Sequence, residues 1–390
     1  MISVGIDVAK DKHDCCIINS YGEVLEDSFV ITNNKEGFDE LYLKIENYID
    51  DKEKIKVGLE ATGHYSRNIL NFLFNKNLRI YLINPLQTDL YRKATSLRKT
   101  KTDKIDACNI ALLLLSGINL KPYTKKSYQI SCLKELTRSR FSAMHERSKQ
   151  KIKFVKLIDM VFPELENIIK DVNCKTIYEL LDKYPSATKI ANARKSTLVK
   201  LISKQSRNRI SYEKIENIYK SAKNSIGTST IATSLEIKHT ITLLKLYEEQ
   251  IKDLDTKIKE VLSETNTQIT SIPGIGTTTG ASIIAEIGDM SLFSSPDKIQ
   301  AFAGISPSTY QSGKLENCYS HMEKRGSKFL RYSIFIAARC VVMWDKRFKD
   351  YMDKKLNEGK HYFVALSHVA KKLIRIIFAL ETKKQSYKRI

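Results

Sequence analysis

Four carboxylates carry the first chemical signal. Asp7 ends the apolar run VGID and Glu60 ends VGLE, while Asp103 and Asp106 lie three residues apart in RKTKTDKIDA. An i, i+3 pair shares one face of a helix, and if the two apolar runs are neighbouring strands of one sheet, their terminal acids stand side by side. Four acids in one cleft repel one another, and a divalent ion relieves that repulsion. Ligands that are all oxygen select Mg²⁺ or Mn²⁺ over Zn²⁺. Such ions activate an attacking oxygen and stabilise a leaving one in phosphodiester chemistry. Asp11 and Asp14, close to Asp7 in the chain, read as bystanders.

Weaker signals lie further along. The turn Pro273-Gly274-Ile275-Gly276 precedes a helix-like run from Thr277 and resembles a helix-hairpin-helix turn, whose glycines let backbone N–H groups approach a DNA phosphate. Ser312-Gly313-Lys314 sits in a polar segment, where local composition makes Ser312 a turn residue. A cationic string follows it, Lys324, Arg325, Lys328 and Arg331. Lys134 to Lys156 holds eight Lys or Arg against two Glu, among them Arg147, Lys149, Lys151 and Lys153, so that a helix there presents a positive face to a phosphate backbone.

The elements that must position these residues follow from the hydrophobic pattern. Residues 2–8, 13–19 and 24–32 are short β-branched or apolar runs parted by turn-like segments, and they predict three antiparallel strands. A helix over 35–50, a buried strand over 54–62, a helix over 65–75, a strand over 78–85 and a helix over 102–115 follow. The order βββαβαβα gives a mixed sheet covered on its faces. Beyond Pro122 the chain turns helical. Residues 170–230 read as short helices of mixed charge with no chemistry-bearing pattern. From Thr240 the positions Thr240, Leu244, Tyr247, Ile251, Leu254, Ile258 and Val261 form a three-heptad seam, which predicts a helical hairpin or a dimerising coiled coil. A third, Gly-punctuated helical region starts at Ser271 and closes on an amphipathic basic helix near 361–383. The boundaries expected are therefore 1–125, 126–268 and 269–390.

A chain of 390 residues with 42% apolar and 28% charged residues buries a sizeable core, which excludes collagen-like and wholly disordered classes. Its 65 basic against 44 acidic residues leave +21, the footprint of a polyanionic partner, nucleic acid before others. The longest apolar stretch, near Ile110 to Leu115, falls far short of a membrane span, and no signal-peptide pattern opens the chain. A cytoplasmic protein is expected, nucleoid-associated when bound to DNA. Seven Cys, with no C-x-x-C and an adjacent pair at Cys15 and Cys16, fit neither a disulfide framework nor a zinc site, and reduced thiols are expected.

Taken together, VGIDVAK, GLEATGHY, RKTKTDKIDA, SIPGIG with TGASIIAEIGD, and AGISPSTYQSGK with EKRGSKFLR resemble the DEDD transposases of insertion-sequence family one-ten, the bridge-RNA-guided serine recombinases related to the Piv/MooV DNA invertases. The resemblance covers residues 2–116 and 271–340. It implies a RuvC-like, RNase H-fold amino-terminal domain whose four acids bind Mg²⁺ (or Mn²⁺), and by motif match these fall on Asp7, Glu60, Asp103 and Asp106. It also implies α/β plus α as the fold class, with a helical coiled-coil middle for dimerisation and nucleic-acid binding and a mostly helical transposase domain that supplies a serine nucleophile at Ser312. The family pattern often carries two serines before the glycine. Here Gln311 and Ser312 stand there, with Ser308 the nearest alternative. The K-x-G-x-x-x-L-R element maps onto Lys324, Gly326, Leu330 and Arg331, which makes Lys324, Arg325 and Arg331 expected phosphate contacts.

The reaction so implied is DNA strand exchange without external energy. Serine attack on a phosphodiester conserves the bond as a phosphoserine link, and rejoining to a new strand needs no ATP. Apart from His321 no His lies near Ser312 in sequence, so metal held by the four acids is the more economical activator. Ser312 follows Asp106 by more than 200 residues, which allows the two to come from different protomers and would couple cleavage to assembly. The implied partners are donor and target DNA, an element-encoded bridge RNA, and further copies of the chain, a homodimer that becomes a tetramer on synapsed DNA. The alternative is a RuvC-like Holliday-junction or DNA endonuclease acting by metal-dependent hydrolysis, which needs the acids but not Ser312. A sugar-kinase or chaperone-type ATPase also places an Asp after a first strand, but no second Gly-rich phosphate loop follows here.

Overall fold

The computed structural model describes residues 1–48, 51–61, 63–95, 102–118, 120–307, 311–312, 315–316 and 321–388. Two compact units divide the chain, Met1–Tyr128 and Gln129–Ile390.

The first unit holds β1 (Ile2–Val8), β2 (Lys12–Asn19), β3 (Val24–Thr32), α1 (Lys35–Glu46), β4 (Ile55–Glu60), α2 (Ser66–Asn75), β5 (Arg79–Ile83), α3 (Pro85–Thr95) and α4 (Asp103–Leu115). The five strands form one sheet in the order β3-β2-β1-β4-β5. β1 pairs antiparallel with β2 and parallel with β4, so the sheet is mixed, the RNase H-type layout that the resemblance implies. Alternation along each strand divides the residues between two faces. Val4 and Ile6 pack with Phe38 and Leu41 of α1 and Ile69 and Leu73 of α2. The opposite face receives α4, through Ala107 and Ala111 against Cys16 and Ile18 and through Ile110 and Leu114 against Tyr81 and Ile83.

Two glycines fix how closely α4 lies on the sheet. Gly5 and Gly58 are register partners on adjacent strands. A Cβ on Gly5 would meet the Ala107 carbonyl at 2.0 Å, and one on Gly58 would meet Ile110 at 2.9 Å. Only a bare backbone leaves room for the helix there.

Cys16 and Cys108 form a disulfide between β2 and α4, with Cα atoms 5.2 Å apart. This corrects the expectation of reduced thiols for that pair, while Cys15, Cys132, Cys174 and Cys340 are free. Sequence spacing could not show the pair because its members are 92 residues apart and meet only once α4 is laid across the sheet.

The second unit takes α5 (Lys125–Val161) from Gln129 onward, followed by the short helices α6 (Leu165–Ile168), α7 (Lys175–Lys183), α8 (Ala187–Ala191), α9 (Lys195–Ser206) and α10 (Tyr212–Lys223) and then the long α11 (Ile231–Ser263). α5 and α11 lie antiparallel. Leu133 packs with Ile258 and Leu262, Arg140 pairs with Asp255, and Lys153 pairs with Glu236. The heptad seam is thus covered within the chain. Thr240, Leu244, Ile251 and Ile258 are buried, and Ile237, Ile241 and Leu244 pack with Phe154, Tyr178 and the short helices in one core.

The remaining elements are α12 (Thr277–Ile287), α13 (Pro296–Phe302), the two-residue strands β6 (Gln311–Ser312) and β7 (Leu315–Glu316), α14 (Lys328–Trp344), α15 (Lys346–Asn357) and α16 (Tyr362–Lys383). Their core joins Ile283, Ile287, Leu330, Ile334, Val341, Phe348 and Leu373. Ala281 and Ala285 of α12 also pack on Leu133 and Leu262, so the middle helices and the carboxy-terminal helices share a seam. Among the described residues no helix is long and apolar enough to cross a membrane.

Candidate active site

Asp7 and Glu60 each stand two residues beyond the glycines that seat α4, and therefore on the α4 face of the sheet. Parallel pairing of β1 with β4 places them at the same end. On α4 the residues Asp103, Asp106, Ala107, Ile110, Ala111 and Leu114 share one stripe by helical spacing. The later members of that stripe lie on the sheet, so the first turn carries Asp103 and Asp106 to the strand ends. Thr102 caps the helix by accepting from the Ile105 N–H, and acids in a first turn are favoured by the helix dipole.

The electrostatics reflect this gathering. Burial, followed by the charges of Glu60, Asp106, Asp103 and Asp14, pushes the Asp7 carboxyl up from an ordinary 3.8 to about 6. A carboxylate so placed gains from any cation that enters. The donor set is oxygen alone, which fits a hard divalent ion. Among the described residues, however, no three His, Cys, Asp or Glu side chains close into a group that could hold an ion. The acids share one end of the sheet without forming a finished coordination shell.

Three participants escape a reading of the sequence. Asp14 pairs with Asp7 in the β1–β2 register, is 4% exposed, and adds to the repulsion that pushes the Asp7 carboxyl up. Its effect on Asp7 is the smallest of those charges, and its signal is the antiparallel register itself. The other two come from α3, an unforeseen helix. The Thr88 hydroxyl is shared between Pro85 O at 2.9 Å and Glu60 Oε2 at 3.2 Å, and the Arg92 guanidinium lies 3.8 Å from Asp106 while also holding Asp89. Asn84 before Pro85 announces this helix, for the Asn84 side chain accepts from the Leu86 N–H and Pro suits a first helical position.

Ser312 belongs to the second unit, in β6, paired antiparallel with Leu315 of β7. Ser308, Gly313 and Lys314 lie outside the described residues. The chain before and after this segment is laced into a stem, residues 302–307 against 322–327. Glu323 N–H donates to Ser306 O at 3.1 Å, Lys324 N–H to Gly304 O at 3.2 Å and Ser327 N–H to Phe302 O at 2.9 Å, and Pro307 bridges Met322. The stem is too tight for side chains at two points. A Cβ on Gly304 would meet Arg325 O at 2.2 Å, and one on Gly326, whose φ is +103°, would meet Phe302 O at 2.1 Å.

Several expected nucleic-acid contacts have other work. Arg331 Nη1 donates to Ala303 O at 3.0 Å and Lys324 O at 3.1 Å, so this arginine ties the stem together. Gly274 approaches protein backbone, since its φ is +91° and a Cβ would meet Cys340 O of α14 at 2.8 Å. Gly276, the N-cap of α12, is exposed with open space where a Cβ would point. Lys324 and Arg325 are exposed. On α5, Arg147 is half-buried with Nη2 3.3 Å from Met144 Sδ, whereas Lys149 and Lys153 pair at the surface with Glu146 and Glu236. Exposed pairs of this kind contribute about 0–1 kcal/mol, so both lysines can exchange a carboxylate for a phosphate.

Comparison with known proteins assigns the class. The pattern of the DEDD transposases of IS110 type, described as a transposase, matches residues 4–163, and that of the transposase IS116/IS110/IS902 family matches residues 266–353. The chain belongs to this family of insertion-sequence transposases. Among its relatives is the insertion element IS116 44.8 kDa protein of Streptomyces clavuligerus, 24% identical over 99% of this chain and 96% of that protein. The pilin gene-inverting protein of Moraxella bovis is 24% identical over 97% of this chain and 94% of its own. The transposase for insertion sequence element IS1111A of Coxiella burnetii is 31% identical over 36% of this chain and 40% of its own. Among solved structures, T. thermophilus RuvC in complex with a Holliday junction substrate aligns with 31% of this chain and 99% of its own, at 15% identity and a TM-score of 0.24.

Proposed function

We propose that the protein is an RNA-guided DNA recombinase that moves an insertion sequence by cutting and rejoining strands through a phosphoserine link at Ser312. The observation that carries the metal-dependent half is the seating of α4 on Gly5 and Gly58, which brings Asp103 and Asp106 to the strand end that bears Asp7 and Glu60. Asp7, Glu60, Asp103 and Asp106 would hold Mg²⁺ or Mn²⁺, which when bound supplies charge for the attacking and leaving oxygens of a phosphodiester. Thr88 and Arg92 orient Glu60 and Asp106. The Ser312 assignment rests on motif match and on its place in the β6–β7 pair, which lies in the chain between the two sides of the laced stem.

In the cutting step the Ser312 oxygen forms a bond to phosphorus as it loses its proton, and the strand's leaving oxygen departs and takes one up. Rejoining reverses the step with another strand's hydroxyl. Lys324 and Arg325, exposed at the foot of the hairpin, neutralise the attacked phosphate. Residues 1–125 act as the metal-dependent domain, 126–268 bind nucleic acid and dimerise, and 269–390 carry the nucleophile. The exposed lysines of α5 hold the backbone of an element-encoded RNA that selects target and donor DNA, and copies of the chain assemble as a dimer and then a tetramer on synapsed DNA.

The test is a plasmid recombination assay with the element's own non-coding RNA and Mg²⁺. Recombinant junctions are expected from the wild type and from neither Asp7→Asn nor Ser312→Ala. Junctions that form equally without the RNA would remove the guidance, and strand cleavage retained by Ser312→Ala would leave a hydrolytic junction nuclease in its place.

A further inference from the structure

Glu286 of α12 is a buried charge with no part in the chemistry above. Its side chain is 2% exposed, and three helices meet on it. Arg138 of α5 grips it with two bonds, Nε to Oε1 at 2.6 Å and Nη2 to Oε2 at 3.0 Å. Lys134, one turn earlier on α5, lies 4.0 Å away. Ser327 Oγ donates to Glu286 Oε2 at 2.7 Å. Burial works against the charged carboxylate, but the Arg138 and Ser327 hydrogen bonds and the neighbouring cations outweigh it and hold the carboxyl below its usual value.

Ser327 stands where the stem meets α14. Its Oγ accepts from the Leu330 N–H and so caps α14, and its own N–H closes the stem on Phe302. Arg138 also lies over the Phe329 ring at 4.6 Å, and Phe141 meets both Phe329 and Tyr332 edge-on. The basic helix α5 thus grips the first turns of α14 by a polar contact and an aromatic one. An ion pair is a poor choice if cohesion were the sole need, because replacing a buried pair by apolar side chains of like volume is often neutral or stabilising. What an apolar contact cannot do is fix the direction of the Ser327 hydroxyl.

We infer that Glu286 is a positioning residue that couples the nucleic-acid-binding helix α5 to the hairpin bearing Ser312, setting the stem so that the serine oxygen meets its phosphate. The inference rests on the serine reading of the proposed function. Misplacement by about 1 Å far from the reacting atoms costs about a hundredfold in rate. The expected signature is therefore a loss of rate at saturating DNA with little loss of affinity.

The experiment follows covalent protein–DNA adduct formation on a nicked suicide substrate in a single turnover, with Mg²⁺ and RNA present. DNA affinity and thermal melting are measured on the same full-length proteins. Glu286→Gln and Ser327→Ala are expected to slow the adduct by about ten- to a hundredfold while affinity changes less than about threefold. The double variant Arg138→Met with Glu286→Met separates positioning from cohesion: it is expected to melt near the wild type and remain slow. An adduct at wild-type rate in that double variant or in Ser327→Ala overturns the inference alone. A wild type that cleaves DNA without any adduct overturns the serine reading, and the inference falls with it.

Discussion

Replacing Asp7 by Asn should stabilise the metal-free protein at neutral pH while destroying its metal response. The native carboxyl is pushed up to about 6 from an ordinary 3.8, burial being the largest cause and the charges of Glu60, Asp106 and Asp103 coming next. A shift of about 2 units at 1.36 kcal/mol each corresponds to about 3 kcal/mol. Asp7 keeps some solvent contact, and screening reduces that to about 1–2 kcal/mol. The sign follows from proton linkage. The folded state holds this proton more tightly than the unfolded chain does, so the contribution is fully present below pH 3.8 and is lost as pH rises through about 6. Above that, the folded protein carries a carboxylate crowded by like charges, and Asn removes it. Hydrogen exchange of peptides covering β1 and β4 reports the first unit's opening without the second unit's interference. In chelator at pH 7.5, Asp7→Asn should protect those peptides by about 1–2 kcal/mol over the wild type, with the gap closing towards pH 4. Mg²⁺ should then protect the wild type and leave the variant unchanged. A variant less protected than the wild type at pH 7.5, or a gap that does not depend on pH, would refute the crowding of charges at this strand end.

The other acids and surfaces lead to further expectations. Glu60→Gln, Asp103→Asn and Asp106→Asn should each abolish strand cleavage with folding intact, read by plasmid nicking and by circular dichroism, and nicking at the wild-type rate in all three would mean the metal site is misassigned. Changing Lys149, Lys151 and Lys153 together to Gln should lower the salt dependence of nucleic-acid binding by about 0.7–0.9 for each phosphate no longer neutralised, and an unchanged slope would move the binding surface off α5. Gly326→Ala puts a Cβ 2.1 Å from Phe302 O at a φ of +103°, so the stem must distort. Adduct formation should fall at least tenfold with DNA affinity kept, as measured in the nicked-substrate assay.

Much of the first unit is legible in the sequence because its chemistry and its packing follow the same alternation. The runs ending in Asp7 and Glu60 carry their glycines two residues earlier, and the strands Ile2–Val8, Val24–Thr32 and Ile55–Glu60 agree with the hydrophobic pattern to within two residues. What escapes depends on residues that are distant in sequence and meet only in the fold. Asp14 joins the acids only through strand register, and Cys16 meets Cys108 only after α4 is laid on Gly5. Arg331 stands in a basic string that reads as phosphate-binding, yet two carbonyls at the stem claim it. Glu286 sits in a Gly-punctuated apolar run, where nothing local reveals that α5 and the α14 cap converge on it. The heptad seam is visible, but periodicity alone cannot tell whether its cover is a second copy or, as the fold has it, α5 of the same chain.

The covalent adduct is the most direct test of the account. A nicked substrate that lets the cleaved end diffuse away traps any protein–DNA link, and the full-length protein is incubated with it in Mg²⁺ and RNA and then run under denaturing conditions. The wild type should show a protease-sensitive, slow-migrating DNA band, and Ser312→Ala should bind the same DNA with near-equal affinity and show none, because many phosphate contacts carry the binding and one oxygen carries the bond. Cleavage by the wild type with no such band, or an undiminished band in Ser312→Ala, would contradict it.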